Sequence, residues 1–516
     1  MDVRNVLEKT VKQFGKKTAL IFQGKEVSFS QIQEEVFKLA NALKKQGIGK
    51  GDKIAFYLPN CLEYCYSYLA CFCLGAVGVP LDYMLKEEEI ISCLSHSETK
   101  LLIAKNKPEV SLDVIKKAVP TLKTIVLYQS QEYSGTGPTP TGIFYSDFIH
   151  GCDDHLAPVV IQDKDPALIM YTSGTTGKPK GVLLSYRHLN GSPEAMKHFV
   201  DLTDKDIKLA AIPFSHIGGF IYLQNCIHFG ITLVIMERFN PFEFLENIMR
   251  YRVTCFHIVP PMYNAILTLK QIDRFDLSSL RWVVVFGAPS SPEILERFHK
   301  YCPNAKLLNG WGMTETCPPN TVTPLNSNKI ESVGKPAPHC EIKIFDEHDK
   351  EVPTGGIGEI VIRGWIVMDG YYKDPEQTKE ILQNGWLHTG DLGRFDKEGF
   401  LYILGRKKEM IKVGGQIVYE PEVEAAFYKH PEVAEVAVVG VADKMKGEAV
   451  KAYVVLKQGS SLTQEDLRYF AREHLANFKV PQWVELRSEL PKNRTGKIDK
   501  SLLKQEDLTK AVSIKP

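Results

Sequence analysis

The sequence has almost no excess of either charge, since 63 Lys and Arg residues are matched by 62 Asp and Glu residues, a net charge of +1. This balance excludes the strongly basic surface that nucleic-acid binding needs. The chain also lacks an apolar run long enough for a bilayer, because the most apolar stretch, residues 66–81, is short and contains glycines. We predict a helix and a buried strand there and no transmembrane span, while contact with a membrane surface stays open.

Cysteine is absent from the last third of the chain and nowhere has the spacing of a metal site. The eleven cysteines end at Cys340, and no histidine or second pair completes a zinc pattern near Cys61 and Cys65. The N-terminal segment MDVRNVLEKTVKQFG is charged throughout and has no apolar signal region. These features predict reduced, buried thiols and a cytoplasmic protein.

The order of apolar segments predicts more than one domain. A length of 516 residues suggests roughly three globular units. Strands and helices alternate up to about residue 340, as in parallel sheets covered by helices, and shorter strands and turns follow. We therefore predict an α/β fold with a large N-terminal domain, residues 1–405, that contains parallel-rich sheets and a small β-rich subdomain. A small α+β lid domain, residues 406–516, should follow it.

The first long helix can be predicted in detail. Ser30 and Gln33 have the spacing of a capping box, and Gly47 marks the helix end. Its apolar positions recur at helical spacing and should form one buried stripe, made of Ile32, Val36, Leu39, Ala40 and Leu43.

The segment YTSGTTGKPKG, residues 171–181, has the composition of an anion-binding loop. It follows a predicted strand and offers hydroxyls, lysines and backbone N–H groups that glycine leaves unhindered. It does not have P-loop spacing, because only two residues separate Gly174 from Gly177. From composition alone, a mobile surface loop is the alternative.

The string TSGTTGKPKG also resembles the signature of the acyl-adenylate-forming superfamily, which includes acyl-CoA synthetases, firefly luciferase and peptide-synthetase adenylation domains. Four more strings follow in the family's order: GWGMTET (310–316), TGD (389–391), GRKKEMIKVGG (405–415) and PKNRTGK (491–497). The resemblance covers essentially the whole chain and is closest to the fatty-acid–CoA ligase branch. It implies an enzyme that uses ATP, Mg²⁺ and coenzyme A to turn a carboxylic acid into its CoA thioester through an acyl-AMP intermediate.

The resemblance also assigns the nucleotide site. It implies that one set of residues cradles the departing phosphates: Thr172, Ser173, Gly174, Thr175, Thr176, Gly177, Lys178 and Lys180. It places the adenine and its sugar against Gly287, Ala288, Pro289, Trp311, Gly312, Asp391 and Arg406. Trp311 stands where most relatives carry tyrosine. Thr314 is implied to contact the α-phosphate, and Glu315 to hold Mg²⁺, which favours carboxylate and phosphate oxygens.

Two half-reactions are implied for one cleft. Lys497 matches the lysine that bridges the carboxylate and the α-phosphate during adenylation. Lys408 occupies the family's hinge position, and rotation of a mobile lid about it would withdraw Lys497 and present Lys412, Gly414 and Gly415 to the thiol of coenzyme A. The family commonly has proline at the position of Glu420. We expect this difference to change only the local start of a helix.

PFSHIGGF, residues 213–220, resembles the family segment at the carboxylate end of the acyl pocket. We expect His216 to lie at that end, with a histidine satisfied in the core as the alternative. The other implied lining residues are Ile217, Gly218, Phe220 and Met262. No charged neighbour suggests a second charge on the substrate, and Gly218 and Gly219 should leave room for length. A hydrophobic monocarboxylic acid follows, with a medium- or long-chain fatty acid favoured over an aromatic acid.

Several alternatives stay open at this point. The enzyme could be an aryl-carboxylate–CoA ligase, or an acyl-AMP ligase that loads a carrier protein. A luciferase-like oxidation shares the framework, and a non-catalytic acyl-binding paralogue would not need Lys497. The sequence does not distinguish a monomer from a homodimer.

Overall fold

The computed structural model describes residues 2–128, 141–172, 180–286, 292–443, 445–492 and 498–513. The N-terminal elements are α1 (Val3–Phe14), β1 (Thr18–Phe22), β2 (Lys25–Ser28), α2 (Phe29–Lys45), β3 (Lys53–Tyr57), α3 (Leu62–Cys73), β4 (Val77–Leu81), α4 (Glu87–Ser97), β5 (Leu101–Lys105), α5 (Leu112–Ala118), β6 (Thr124–Tyr128), β7 (Ile143–Phe144) and α6 (Tyr145–Ile149). The central elements are β8 (Pro166–Thr172), β9 (Lys180–Ser185), α7 (Gly191–Phe199), β10 (Ile207–Ala210), α8 (Ile217–Phe229), β11 (Thr232–Ile235), α9 (Pro241–Tyr251), β12 (Cys255–Ile258), α10 (Pro260–Leu267), β13 (Trp282–Val285), α11 (Pro292–His299), β14 (Lys306–Trp311), β15 (Thr321–Val322) and β16 (Lys335–Pro336).

The remaining elements begin with β17 (Cys340–Phe345), β18 (Gly358–Gly364), β19 (Gly370–Tyr371), α12 (Pro375–Ile381), β20 (Leu382–Gln383), β21 (Trp386–Phe395) and β22 (Leu401–Arg406). The last group comprises β23 (Met410–Val413), β24 (Gln416–Tyr419), α13 (Glu420–Tyr428), β25 (Val433–Asp443), β26 (Gly447–Leu456), α14 (Gln464–His474), β27 (Trp483–Arg487) and α15 (Lys500–Ser513). Short 3₁₀ turns include Thr314–Thr316 and Lys407–Glu409.

Two large sheets carry the N-terminal part of the chain. Sheet I has nine strands in the order β16-β15-β14-β13-β12-β10-β11-β1-β2, and sheet II has eight in the order β19-β9-β8-β4-β3-β5-β6-β7. The central strands of both run parallel, which confirms the predicted α/β architecture. Antiparallel strands lie toward the edges of both sheets, and one of them is β9, which is antiparallel to β8 and pairs Lys180 with Thr172. The glycine-rich segment therefore connects two neighbouring strands.

Helices α2 and α3 test the local predictions. The whole stripe predicted for α2 is buried. Its predicted cap is wrong by two residues, because the Ser28 hydroxyl accepts the Gln31 N–H and the Gln31 side chain accepts the Ser28 N–H. The apolar run at residues 66–81 forms part of α3 and then β4, as predicted, and is almost entirely buried. Within the residues described, none of the helices combines the length and the apolarity that a bilayer crossing requires.

Two smaller sheets follow. The third is antiparallel, runs β17-β18-β21-β20 with β22 beside β21, and confirms the predicted β-rich subdomain. The fourth contains β23 to β27 and packs α13 and α14 against it. Arg406 ends β22, so the chain changes sheets within the turn Lys407–Glu409. The predicted boundary at 405/406 lies one residue before that turn and stays a prediction.

The cysteines are free thiols, and nine of the eleven are buried. Most lie in the layers between helices and sheets, where burial raises the pKa of thiols such as Cys61 and Cys71. A raised pKa keeps a thiol protonated and unreactive at neutral pH. The structure thus agrees with the prediction of buried, reduced cysteines.

Candidate active site

The carboxyl ends of the parallel strands of sheet I meet at one edge, where predicted nucleotide-binding residues collect. Trp311 is the last residue of β14, and Gly312 follows it. A Cβ at Gly312 would lie 2.4 Å from the Pro318 side chain, so only glycine fits this turn. Residues 287–289, which follow β13, lie outside the described residues.

Trp311, Asp391 and Arg406 form one hydrogen-bonded group. The indole Nε1–H donates to Asp391 Oδ2 at 2.9 Å, and Arg406 Nε lies 3.0 Å from Asp391 Oδ1. The pairing of β21 with β22 sets this geometry, because it places Asp391 opposite Arg406. Asp391 is buried, whereas half of the Arg406 side chain is exposed. Each carboxylate oxygen can accept a further donor, so a ribose diol could bind beside the existing partners.

Glu315 lies in a second polar group, to which Tyr371 contributes. The Tyr371 hydroxyl donates to Glu315 Oε1 at 3.0 Å, and Lys180 Nζ lies 5.3 Å from the centre of the Tyr371 ring. Burial and the neighbouring Glu315 carboxylate raise the pKa of Tyr371, so its hydroxyl stays protonated. The turn Thr314–Thr316 holds Glu315, whose carbonyl accepts the Met368 N–H. A buried, oriented carboxylate is the ligand type that Mg²⁺ prefers, so the residues fit this ion.

His216 directly precedes α8, at the predicted acyl site. Its Nε2 lies 3.3 Å from Asp82 Oδ2, although the two atoms are not aligned for a hydrogen bond. The sequence expectation that no lysine, arginine or aspartate lies here to partner a second charge on the substrate therefore overlooked Asp82. Asp82 directly follows β4, so sheet II contributes a carboxylate to the wall built by sheet I and α8.

The two glycines after His216 have different roles. A Cβ at Gly218 would meet only Ile212, at 3.7 Å, which is ordinary contact. A Cβ at Gly219 would lie 1.9 Å from the Pro213 carbonyl oxygen. Gly219 therefore permits backbone packing and does not leave room for a substrate, contrary to the expectation.

The structure does not bring all the predicted acyl residues together. The ring of Phe220 packs 4.9 Å from that of Tyr68 in the core and lies on the side of α8 opposite Gly218. Ile217 and Met262 are half-buried against the same core, with Met262 in α10. Phe220 is thus explained by packing, whereas Ile217, Gly218 and Met262 stay candidates for the pocket wall.

The predicted hinge and coenzyme A residues lie at the start of the fourth sheet. Lys408 is in the turn Lys407–Glu409, beside Lys407, whose Nζ lies 3.1 Å from Glu359 Oε2. Burial acts to raise the pKa of Glu359, but Lys407 and other donors outweigh it and lower that pKa. Lys412 is exposed on β23, and its N–H donates to Glu448. Gly414 and Gly415 have φ angles of 57° and 84° in the following turn, with open space at both Cβ positions.

Three groups of predicted residues lie outside the described residues: Ser173–Lys178 of the glycine-rich segment, Gly287, Ala288 and Pro289 after β13, and Lys497 near the C-terminus. Their flanks are described. Thr172 ends β8 and Lys180 begins β9, and the two are register partners. Their roles stay predictions.

Comparison with known families identifies the chain. The sequence profile of the AMP-binding enzyme family matches residues 7–372, and that of the AMP-binding enzyme C-terminal domain matches residues 422–497. The chain belongs to the AMP-binding enzyme family. This AMP-binding enzyme is an acid–thiol ligase of the acyl-CoA synthetase branch, which confirms the predicted superfamily and enzyme class.

The similarity to known proteins extends over almost the whole chain of this AMP-binding enzyme. The long-chain-fatty-acid–CoA ligase of Bacillus subtilis (strain 168) is 33% identical over 542 residues, 98% of this chain and 94% of its own. The crystal structure of an anthranilate CoA ligase in complex with anthranoyl-AMP has a TM-score of 0.93 at 27% identity, covering 99% of this chain and 98% of that chain. ATP-bound MatB from Rhodopseudomonas palustris has a TM-score of 0.88 at 28% identity, covering 98% and 99%. The fold class is therefore confirmed, and the ligase is ATP-dependent.

Sequence reasoning missed two neighbours of the site in this AMP-binding enzyme. Tyr371 reaches Glu315 because the two-residue strand β19 pairs with β9 and places Tyr371 opposite Val182. Asp82 reaches His216 because residues of sheet I, sheet II and α8 pack together in one core. For Asp82, the only sequence signal was that a polar residue directly follows an apolar strand. For Tyr371, it was a pair of tyrosines after Gly370.

Proposed function

We propose that this ligase joins a hydrophobic carboxylic acid to coenzyme A through an acyl-AMP intermediate, with a medium- or long-chain fatty acid favoured over an aromatic acid. The observation that supports this choice is the wall at the start of α8. There Ile217 and Met262 are apolar, and Gly218 leaves an open strip beside His216. A flexible chain can follow such a strip more easily than a ring, which needs width.

In the first half-reaction, the carboxylate attacks the α-phosphate of ATP and pyrophosphate leaves. Asp391 and Arg406 would hold the ribose, Trp311 would lie against the adenine, and Thr314 would contact the α-phosphate. Glu315 would hold Mg²⁺, whose charge offsets the repulsion between the two anions. Lys497 would bridge the carboxylate and the phosphate.

In the second half-reaction, the thiol of coenzyme A attacks the acyl carbonyl and AMP leaves. We propose that the C-terminal domain rotates about Lys408 and brings Lys412 to the cleft. The open space at Gly414 and Gly415 supports a path for the pantetheine, because a chain can pass close to their backbone.

The experiment incubates the purified protein with ATP, Mg²⁺, coenzyme A and a panel of fatty and aromatic acids. Mass spectrometry measures acyl-AMP and thioester, and a coupled assay measures pyrophosphate. Preference for aromatic acids would favour the aryl ligase, for which the structural similarity to the anthranilate ligase is the supporting observation. Adenylate without thioester would favour a carrier-protein acceptor.

Two variants separate the half-reactions. Lys497→Ala should abolish acyl-AMP formation and retain thioester synthesis from supplied acyl-AMP, whereas Lys412→Ala should do the reverse. The exposed Lys429→Ala, in the same domain, is the control and should affect neither step. Equal loss of both steps in both variants would contradict the rotation.

A further inference from the structure

A lysine is buried between sheet I and α8, beyond the carboxylate end of the acyl site. Lys208, on β10, has no exposed surface, and its Nζ has no hydrogen-bond partner within the described part of the chain. It lies 5.5 Å from the ring centres of both Tyr222 and Trp282. Lys208, Cys255 and Trp282 are register partners on three adjacent strands, so they form one row across a single face of the sheet.

The nearby carboxylate does not pair with this lysine. Asp206 receives Arg281 Nη1 at both oxygens, at 2.7 and 2.9 Å, and also the Thr254 hydroxyl. The Asp206 carboxylate is therefore already hydrogen-bonded to Arg281 and Thr254, at the amino end of the strands. Lys208 is left with aromatic faces around its ammonium group.

Three other polar side chains in this layer are buried and unpaired within the described residues. They are Trp282 at Nε1, Asn225 at both amide atoms and His257 at Nδ1. His257 Nε2 donates to the Gly218 carbonyl at 2.7 Å, so Nδ1 is the acceptor of the neutral ring. Burial and then the charge of Lys208 lower the pKa of His257, which keeps the ring neutral.

These groups extend along α8, away from its start beside His216. Gly218 is bonded to His257, and the His257 ring stacks on Tyr222 at 4.0 Å. Asn225 is almost one turn after Tyr222 on the same side of α8, which packs on β10 and β11. Asn225 lies seven positions after Gly218, which is about 10 Å at the rise of an α-helix. A medium-length acyl chain that starts at His216 would end near Lys208 and Asn225.

Unpaired buried polar groups are rare and destabilising, so their concentration at one place needs an explanation. An ammonium, an indole N–H and an amide N–H all donate, and together they match an oxygen that accepts. We propose that Lys208 and Asn225 form the distal end of the acyl site and select a medium-length acid with an oxygen function, a hydroxyl or a second carboxylate, at its far end. This inference rests on the proposed function and changes the expected substrate from a plain to an oxygenated chain.

The test measures kcat/KM for pyrophosphate release by the full chain with ATP, Mg²⁺ and coenzyme A. The substrates are length-matched acids, from hexanoic to dodecanoic, that end in a methyl, a hydroxyl or a carboxylate group. At the best length, the wild type should prefer an oxygen-ended acid by about tenfold or more, because a site built for hydrogen bonds rejects an analogue that lacks them. The hydroxyl and carboxylate series distinguish the two oxygen functions.

The Lys208→Met variant should lose this preference, and the exposed Lys205→Met on the same segment should keep it. The proposal is overturned if the wild type prefers methyl-ended acids at every length, or if Lys208→Met leaves unchanged the ratio of kcat/KM between oxygen-ended and methyl-ended acids. Either result would mean that buried water, and not the substrate, satisfies these groups. If Lys208→Met does not fold, the preference of the wild type between oxygen-ended and methyl-ended acids still tests the proposal. Absence of pyrophosphate with every acid would instead refute the proposed function.

Discussion

Replacing Lys208 by methionine should stabilise the protein at neutral pH. Burial lowers the pKa of Lys208 from 10.5 to about 8. At 1.36 kcal/mol per pKa unit, this shift corresponds to about 3 kcal/mol of destabilisation by the charged form. The faces of Tyr222 and Trp282 oppose it by only about 1–2 kcal/mol together, because at 5.5 Å both ring centres lie near the roughly 6 Å limit of cation–π attraction. Desolvation is the larger effect, and methionine keeps the length of the side chain without the charge, so we expect a gain of about 1–3 kcal/mol.

The stability difference between Lys208→Met and the wild type should depend on pH in a defined direction. Because the folded-state pKa of Lys208 lies below the unfolded value, the unfolded chain binds more protons between about pH 8 and 10.5. The wild-type free energy of unfolding should therefore gain a contribution that rises through this window, and the variant lacks it. The advantage of Lys208→Met is thus full below pH 8 and declines as the pH rises toward 10.5.

The assay is equilibrium unfolding in urea at several pH values between 7 and 10, followed by circular dichroism. Taking the difference between variant and wild type removes the titrations that both proteins share. Lys205→Met is the matched control and should change the free energy of unfolding by less than about 0.5 kcal/mol, because Lys205 is exposed. A Lys208→Met protein that is less stable than wild type at pH 7, or a difference independent of pH, would refute the reasoning.

Three further predictions concern Gly219, Tyr371 and Glu420. Gly219→Ala should destabilise the fold by about 2 kcal/mol or more in thermal unfolding, because its Cβ would overlap the Pro213 carbonyl, whereas Gly218→Ala should fold normally. Tyr371→Phe should raise the Mg²⁺ concentration for half-maximal activity about tenfold, since Glu315 loses the hydroxyl that orients it, and Tyr372→Phe should not. Glu420→Gln should destabilise the C-terminal domain by about 2 kcal/mol in urea, while the exposed Glu422→Gln should have little effect; equal effects would contradict the prediction.

The Glu420 prediction follows from where α13 begins. Its carboxylate is fully buried and lies 2.7 Å from Lys500 Nζ and 3.1 Å from Lys504 Nζ, both on α15. Glu424 also contacts Lys500 at 2.7 Å. Lys500 therefore keeps one acidic partner in Glu420→Gln, which reduces the expected loss of stability. The sequence predicted only a changed helix start at Glu420, and α13 does begin there. The link to α15 involves residues about 80 positions away, which no local pattern can indicate.

The sequence predicted architecture well where periodicity and buried strands agree. It placed the cap of α2 wrongly because Ser28 and Ser30 are each followed by glutamine after three residues, so two capping boxes fit the same local pattern. The hairpin decides between them, since β2 extends to Ser28 and pairs it with Thr18. Tertiary pairing, which the pattern does not contain, therefore selected the cap.

The hydrogen-bonded group of Trp311, Asp391 and Arg406 was predictable only as separate residues. Trp311 and Asp391 are distant in sequence, and their hydrogen bond depends on how the third sheet packs against the end of β14. Resemblance supplied both residues but not the contact between them. Tyr371 was missed because a two-residue strand has no periodicity to detect.

Lys208 had a sequence signal that strand prediction alone overlooks. A parallel strand covered by helices on both faces has no exposed side, so any charged residue inside it must be buried. The other lysines of the central parallel strands, Lys53, Lys105 and Lys306, stand at the first or last position of their strands, where the side chain can reach solvent. Lys208 stands inside β10, between Ile207 and Leu209. A lysine inside an apolar strand of the kind found at the centre of a parallel sheet therefore indicates a buried polar site from the amino-acid pattern alone. Its neighbours on the same face of the sheet are the residues to test with it.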